Sequence, residues 1–598
     1  MLQTIIMRES RLKYFLTLIF CLIFFLPNAL LAQNNLTASG TVVDEKGDPM
    51  IGVNVSVKGK SKGTVTDLKG KFSIPAEINS VILFSYIGYE KMEMPASNLK
   101  NKVVKLVENQ KTLDEVVVVG YGVQRKKETT GATFNVKGED LDKVSSSDLG
   151  TAIQGRIAGV NVQASSGAPG DEANIIIRGV SSIQGTNTPL YIVDGIPYDS
   201  DPKLSSCEIA SIDVLKDAAS AAVYGSRGAN GVILITTKQG KAGEMKVSLN
   251  SYYGFQKITS NLPLVGAKDN LYLQTLLGLN TTGTTKNTVF LTTQYYPTML
   301  LNNTDWMKEL QVDNAAIQNH TLQLSGGTGN LNYNFTLGYF NQDGSLINSG
   351  YERYNTRANI NFKKAKWDVQ TNISFNTDSK KNAPADLIYR SITMTPFIQG
   401  LSNNLQDVMI AANTADGINI GSTINSLKGK DVSTSDNFNG NLKITYNFSK
   451  NLSFSSMGGA VYGNGRRVQT SPLFYYYVAS TNQTVPGQPI SGLTYTSSRN
   501  TTFINENVLN YKIDVDRNHH FNFTGLFSLQ KTTFDMFRAY RSNLISNDLT
   551  TLDATTGNPT VAGNASARDI ESLMGRVQYN YKSRYLFSAS VRGDGSSR

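Results

Sequence analysis

Glu208, Asp213 and Asp217 form a set of carboxylates close enough in sequence to suggest paired acid–base chemistry. Such a set needs a partner that titrates near neutrality or a metal, and the three histidines of the chain, His320, His519 and His520, all lie far downstream. His519 and His520 resemble a metal pair, but neighbours on a strand point to opposite faces and no third ligand stands nearby. Gly59-Lys60-Ser61 has the ending of a phosphate loop, yet Asn54 occupies the place of its first glycine and no helical pattern follows. Arg592-Gly593-Asp594 spells an adhesion tripeptide at what reads as a strand exit, where glycine and aspartate are ordinary turn residues. Cys21 falls in the leader, which leaves Cys207 without a disulfide partner. Neither an enzyme nor a cofactor or metal site is expected from these residues.

A different chemistry is carried by the main chain. Leu113-Asp114-Glu115-Val116-Val117-Val118-Val119-Gly120-Tyr121-Gly122 holds four consecutive valines, which favour an extended backbone. Glycine and the charged run Gln124-Arg125-Lys126-Lys127 keep that strand short. It follows the last strand of a small domain and precedes a polar linker, so it reads as an isolated strand with nothing of its own to pair with. Such a strand can dock on the sheet edge of another protein, with main-chain hydrogen bonds giving affinity and alternate side chains giving specificity.

The elements that must position this strand follow from length and composition. The chain has 598 residues, 40% hydrophobic and only 17% charged, with 51 glycines and 28 tyrosines. Hydrophobic cores stop growing well below this length, so several units are expected, and the composition points to β-structure. After the first thirty-odd residues no apolar run approaches the ~20 residues of a membrane helix. Arg8, Arg11 and Lys13 precede the apolar block Tyr14–Leu26, Pro27 and the stretch Asn28-Ala29-Leu30-Leu31-Ala32. Residues 1–32 therefore read as a secretory signal peptide cut before Gln33, and Phe20 is too large for a lipoprotein box before Cys21. Removing the leader lowers the net charge from +10 to +8, a weak basis for nucleic-acid binding, and no nucleic-acid partner is expected. The destination is the envelope of a bacterium or beyond.

Residues 36–108 alternate in short strands: Ser39–Val43, Val53–Lys58, Gly63–Asp67, Gly70–Pro75, Val81–Tyr86, Tyr89–Met94 and Lys102–Val107. That spacing predicts a small Ig-like β-sandwich. Gly40-Thr41-Val42, Gly47 and Pro49 of the first turn, and Ser85-Tyr86-Ile87-Gly88-Tyr89 resemble the carboxypeptidase regulatory-like domain, a resemblance that implies no enzymatic activity. The valine run at 113–122 then resembles the TonB box of the SusC/RagA family of TonB-dependent outer-membrane transporters, with Glu115, Val116, Val117, Val118 and Val119 as its core.

From residue 128 to 241 the pattern becomes mixed α/β, with short helices expected over 140–150 and 151–157 and buried strands at Ile175–Ile177, Leu190–Val193 and Val232–Thr237. Four strings here resemble the family's plug, in the family's order. They are Gln154-Gly155-Arg156-Ile157-Ala158-Gly159-Val160, Ile177-Arg178-Gly179, Pro189 through Asp194-Gly195 to Pro197, and Ile212 through Lys216-Asp217 to Val232, which contains Arg227. Arg178, Arg227, Asp194 and Asp217 are candidates for charged contacts between such a plug and a polar lumen, or for purely local turns.

Residues 244–598 settle into two-residue alternation. Tyr354, Thr356, Ala358, Ile360 and Phe362 face one way, and Asn355, Arg357, Asn359, Asn361 and Lys363 the other. Trp367, Val369, Thr371, Ile373 and Phe375 repeat the pattern against Asp368, Gln370, Asn372, Ser374 and Asn376, which fits strands with lipid outside and water inside. Short turns near Gly329, Ala365, Lys450, Asn518 and Ser583 alternate with long connections, as from Thr377 to Asp436 and from Gly463 to Asn500. One strand and five hairpins make eleven, the first half of the 22-stranded transmembrane β-barrel that encloses a plug in such transporters. Two open edges in lipid are forbidden by backbone hydrogen bonding, so the sequence reads as a fragment or truncated product.

The resemblance implies a multi-pass protein of the bacterial outer membrane. It implies active import of a large nutrient, an oligosaccharide or a peptide, captured beneath a SusD-like lipoprotein and energised by TonB with its ExbB–ExbD motor. A surface receptor or adhesin without transport is the alternative, and a passive adhesin has no use for a free strand facing the periplasm.

Overall fold

The structure, a computed structural model, describes residues 35–597 apart from 46, 59–62, 87–88, 108–115, 120–121, 126–132, 142–147, 260–261, 283–300, 384–386, 394–395, 398–428, 474, 479–482, 487–489 and 517. Gly59-Lys60-Ser61 and Glu115 lie outside the described residues. The chain divides into two units, one ending at Glu115 and one beginning at Val116.

The first unit is a two-sheet sandwich. Its strands are β1 (Asn35–Val43), β2 (Asn54–Val57), β3 (Gly63–Val65), β4 (Lys71–Glu77), β5 (Val81–Ser85), β6 (Met92–Pro95) and β7 (Lys102–Lys105). They form one sheet of order β4-β1-β7 and another of order β3-β2-β5-β6. In β4, Phe72, Ile74 and Ala76 are buried while Lys71, Ser73 and Pro75 are exposed, the period-2 pattern of a half-buried strand. The inward residues join Val53, Val55, Ile82, Phe84, Leu99 and Leu106 in one core. Gly70 has φ +70°, and a Cβ there would lie 2.5 Å from the Val42 carbonyl oxygen, so the turn into β4 requires glycine.

The second unit opens with β8 (Val116–Val119) and β9 (Gly122–Arg125), paired antiparallel. The valine strand is therefore not isolated, and Gln124 and Arg125 belong to its partner instead of a linker. Two residues separate the strands in sequence, so their main-chain groups meet each other before they meet anything else.

The plug strands are β10 (Thr133–Lys137), β11 (Val160–Gln163), β12 (Asn174–Ile177), β13 (Leu190–Val193), β14 (Ile196–Tyr198), β15 (Ile209–Leu215) and β16 (Val232–Thr237). Five of them form a mixed sheet of order β10-β15-β16-β13-β14, and β11 pairs with β12. β13 and β16 run parallel and are almost wholly buried, hence their unbroken apolar sequences. Of the helix expected over 140–150, Gly138–Leu141 is helical and 142–147 lie outside the described residues; the second helix is Leu149–Ile153, capped by the Asp148 carboxylate on Thr151 N. Gly155 at φ +71° ends the second before Ile157.

Eleven strands then form one antiparallel sheet in chain order, as the alternation predicted: β17 (Gly243–Gln256), β18 (Ala315–Gly327), β19 (Leu331–Asp343), β20 (Gly350–Lys364), β21 (Trp367–Lys381), β22 (Asp431–Asn447), β23 (Leu452–Ser471), β26 (Gly492–Asp514), β27 (His519–Ser542), β28 (Pro559–Tyr581) and β29 (Tyr585–Ser596). A separate hairpin, β24 (Tyr475–Val478) with β25 (Gln483–Pro486), fills part of the connection before β26. All five short turns fall where the sequence placed them. The long connections are shorter than expected, because β21 runs on to Lys381, β22 starts at Asp431, β23 ends at Ser471 and β26 begins at Gly492. In those strand extensions the apolar alternation fades while the ladder continues. Residues 344–349 between β19 and β20 form a short link as well.

Burial along β20 is inverted relative to a soluble protein: Tyr354 is 51% exposed, while Arg353, Asn355, Arg357 and Asn359 are buried. That is the polarity of a transmembrane barrel strand, apolar outward and polar toward the lumen. Among the described residues no helix is long and apolar enough to cross a membrane.

Phe84 is fully buried and meets Phe72 edge-on at 5.1 Å. Phe84→Ala should cost about 3–5 kcal/mol of sandwich stability. Hydrogen exchange should show faster opening across 35–107 with the eleven-stranded sheet unaffected.

Candidate functional site at the plug and lumen wall

The inward face of β20 builds the centre of the site. Strand alternation places Asn355, Arg357 and Asn359 on one side, and the plug presents a carboxylate to them. Arg357 Nε donates to Glu208 Oε2 at 3.0 Å, and Asn355 Nδ2 donates to Glu208 Oε1. Both charged side chains are at least nine-tenths buried. Arg357 Nη1 also lies 4.0 Å from Asp194 Oδ2. Asp194 sits at φ +48° in the β13–β14 turn, followed by Gly195 at +94°, so its backbone makes the turn while its carboxylate accepts from Thr237 N (3.0 Å) and Thr237 Oγ1 (2.7 Å).

Toward the short-turn end, amides replace charges. Asn359 Nδ2 donates to Thr237 Oγ1 (2.9 Å) and the Lys238 carbonyl (2.8 Å), Asn334 Nδ2 donates to the same carbonyl (3.0 Å), and Asn441 Nδ2 to the Asp194 carbonyl (3.1 Å). They satisfy backbone groups at the end of β16 and at the β13–β14 turn. Toward the opposite end the contacts are ion pairs of mixed exposure: Lys203 with the buried Asp378 at 3.4 Å, Arg568 with Asp199 at 3.0 Å, and Lys380 with Asp171. Burial alone would raise the Asp171 carboxyl, but the Lys380 ammonium and the Ser166 hydroxyl outweigh it and hold it below its ordinary value of 3.8. An apolar seam lies between these groups, with Leu190, Ile192, Tyr224 and Leu234 of the plug against Val508, Leu526 and Met574 of the wall.

The residues singled out from sequence are placed as follows. Arg227 Nη1 donates to Gln530 Oε1 on β27 at 2.8 Å, and Asp194 faces Arg357, so both meet the wall. Asp217 caps the helix Ala218–Ala221 by accepting from Ser220 N at 2.6 Å. Lys216 Nζ donates to the Ala158 carbonyl at 2.8 Å and stands over the Phe134 ring, contacts internal to the plug. Arg178, exposed at φ +59°, and Gly179 at φ +105° form a turn after β12. Arg178, Gly179, Lys216 and Asp217 together line a cavity of about 440 Å³. Asp194 and Gly195 line another of about 320 Å³, which Lys443, Met457 and Glu506 complete from the wall. Arg156 is half-buried in the turn before β11. Val116–Val119 are the arm β8 of the strand pair described above.

Glu208 was visible in the sequence only as part of a misleading carboxylate set. That set is dispersed, since Asp213 accepts from Asn135 Nδ2 (2.7 Å) across the β10–β15 ladder and Asp217 is a helix cap. Arg592-Gly593-Asp594 is not a turn: it pairs with Met574, Leu573 and Ser572 within β29, and Arg592 reaches back to the Val223 carbonyl of the plug. His519 bonds Tyr579 Oη at 2.7 Å and His520 bonds Asp514 at 2.6 Å. Among the described residues no group of three His, Cys, Asp or Glu side chains is placed to hold a metal.

Removing one member of a buried pair strands the other, at about 3–5 kcal/mol, whereas replacing both with neutral groups is far milder. Arg357→Met should therefore loosen the plug more than the double variant Arg357→Met/Glu208→Gln. Urea titration with proteolysis of the plug as readout should show that order, and equal midpoints would contradict it.

Residues 38–118 match the CarboxypepD_reg-like domain family and residues 125–232 the TonB-dependent receptor plug domain family. A TonB-dependent receptor of Formosa agariphila is 32% identical over 585 residues, covering 94% of this chain and 56% of that protein. The TonB-dependent receptor SusC of Bacteroides thetaiotaomicron is 29% identical over 612 residues, again 94% and 56%. A structure of the RagAB peptide importer in its open-open state aligns with TM-score 0.69 at 23% identity, covering 81% of this chain and 56% of that one. The chain thus spans little more than half the length of the relatives it matches. At 29–32% identity across most of its length, and with matches to the regulatory-like and plug domain families, the chain belongs to the SusC-like TonB-dependent receptors.

Proposed function

We propose that the chain forms the plug and surrounding wall of a TonB-energised importer in the bacterial outer membrane. The observation that carries this reading is a folded plug held against the polar inner face of a barrel-type sheet by bonds of graded strength, with a short strand pair just upstream. A plug that never moved would need no such grading.

In this reading TonB docks on the segment Glu115–Val119 and pulls. The load reaches β10 first, and β10 is an edge strand of the plug sheet, paired with β15 over five residues, bonded from Asn135 to Asp213 and packed by Phe134 and Val136 against the plug core. The more exposed ion pairs to Asp171 and Asp199 each resist by only ~0–1 kcal/mol. The buried Glu208–Arg357 contact resists more, because parting it without water exposes two charges to a low dielectric. Energy enters as force, with no chemistry at a cofactor. The substrate class follows the relatives, one named SusC and one a peptide importer, and is an oligosaccharide or a peptide too large for porins. Capture would involve a SusD-like lipoprotein at the outer face.

In the full-length protein, deleting Val116–Val119 should abolish uptake of the nutrient while outer-membrane assembly and plug protection stay intact. Unchanged uptake in that variant would sink the TonB-driven reading.

A further inference from the structure

A cavity of about 320 Å³ lies between the plug and the wall, at the lower end of the ~300–1,000 Å³ of small-ligand sites. It sits on the short-turn side of the Glu208–Arg357 contact, since its lining residue Asn361 is four residues nearer the Ala365 turn than Arg357. One ladder row builds its wall side: Asn361 pairs with Gln370 and Gln370 with Lys443, so the three side chains stand on adjacent strands facing inward. The outer two are two strand spacings apart, ~9.5 Å, which leaves room for one small group bonded from both sides. All three are half-buried, so small solutes reach them. Ile192 and Leu234 of the plug and Val508 and Met457 of the wall add an apolar surface.

The polar groups of this cavity are unequally spent. Asp194 accepts two bonds from Thr237 and faces Arg357, and Glu506 shares the surroundings of the Tyr224 hydroxyl with two guanidiniums, Arg576 and Arg592. Asn510 accepts from Thr524 Oγ1 at 2.9 Å, which leaves its amide N–H groups. Among the described residues the Lys443 ammonium has no hydrogen-bond or ion-pair partner, and the buried Asn361 Oδ1 has none either. Other cations of the wall are matched: Arg357, Lys380, Arg467 and Arg592 each meet a carboxylate. A cation left over among amide donors, in a partly desolvated space, selects an anion. Asn361 Oδ1 is left to accept from an N–H or O–H of the same solute.

Resting on the reading that the chain is the plug and wall of an importer, we infer that this cavity binds a carboxylate of the imported solute on the exit side of the Glu208–Arg357 contact. Lys443 supplies the charge, the amide N–H groups of Gln370 and Asn510 complete the anion's bonds, and the apolar surface takes the hydrocarbon next to it. Such a carboxylate has two sources among the solute classes proposed above, the C-terminus of a peptide and a uronic acid of an acidic oligosaccharide. A neutral oligosaccharide would leave the lysine unpaired.

The full chain in detergent is titrated with trialanine and trialaninamide, and with glucuronic acid and glucose, with saturation-transfer NMR reading the affinities. At least one acid is expected to bind about tenfold tighter than its neutral counterpart, a difference of ~1.4 kcal/mol. A preference for trialanine alone assigns a peptide, for glucuronate alone an acidic sugar, and for both the carboxylate itself. Lys443→Met should erase the preference and Lys443→Arg should keep it. Asn361→Leu retains the ammonium, should weaken the acid about threefold or more, and carries the test if Lys443→Met does not fold. The inference is overturned by equal binding of acids and neutral counterparts, by a preference that survives Lys443→Met, or by an Asn361→Leu chain that binds the acid as tightly as before. In each of those cases, loss of uptake on deleting Val116–Val119 leaves the importer reading standing. Unchanged uptake in that deletion counts against the importer reading whatever the cavity binds.

Discussion

A carboxylate and a guanidinium out of water set the terms for the second unit. Glu208 and Arg357 come from segments about 150 residues apart in sequence, and neither tolerates burial alone. Their meeting fixes the height of β20 against the plug, because a shift of one residue would turn Arg357 to the outer face and bring an apolar side chain inward. Asn355 and Asn359, two residues to either side, then fall opposite Glu208 and the end of β16 without further adjustment. The polar wall is thus a set of donors placed at strand intervals that the plug's backbone and carboxylates can use.

That arrangement explains why so many of the wall's inward residues are asparagine. An amide gives and accepts a bond without carrying charge, so it satisfies a buried carbonyl with a smaller desolvation penalty than lysine or arginine would bring. The Lys238 and Asp194 carbonyls both receive such amides. Full charges appear in the more exposed pairs with Asp171 and Asp199 and also buried, in the Glu208–Arg357 pair and at Asp378 and Arg353. The inner face is therefore graded in how hard each contact is to part, although its composition reads as uniformly polar.

Much of this was legible in the sequence, and the rest failed for identifiable reasons. The alternation at 354–362 and 367–375 gave strand faces correctly, and the five short turns gave the strand count, because both are local signals. Strand lengths were underestimated beyond the apolar band, where the ladder continues through residues without contrasting faces. Arg357 was assigned to the inward face, yet no local pattern could say that Glu208 would meet it. Asp217 belonged to a recurring string but proved to be a helix cap, and Arg178 to be exposed in a turn: string membership identifies a region, not a contact. Local reading also missed the partner of the valine strand, because a strand of four residues beginning with glycine carries almost no signal of its own.

The same logic bears on how a pulled strand can reach the plug. Among the described residues, the proposed load path from β8 to β10 runs through a strand pair of four residue pairs and an edge strand of five. Beyond them β15, β16 and β13 are flanked on both sides, share a core with Val136 of β10, and the plug is tied to the wall at Glu208, Asp194 and Arg227. Resistance therefore rises in steps along the chain. Under the proposed pull, moving the whole plug would require parting the Glu208–Arg357 contact. Whether water enters behind β10 before that contact opens decides how strong it is, since the same pair that is costly to break in a dry interface becomes a weak surface pair once wetted.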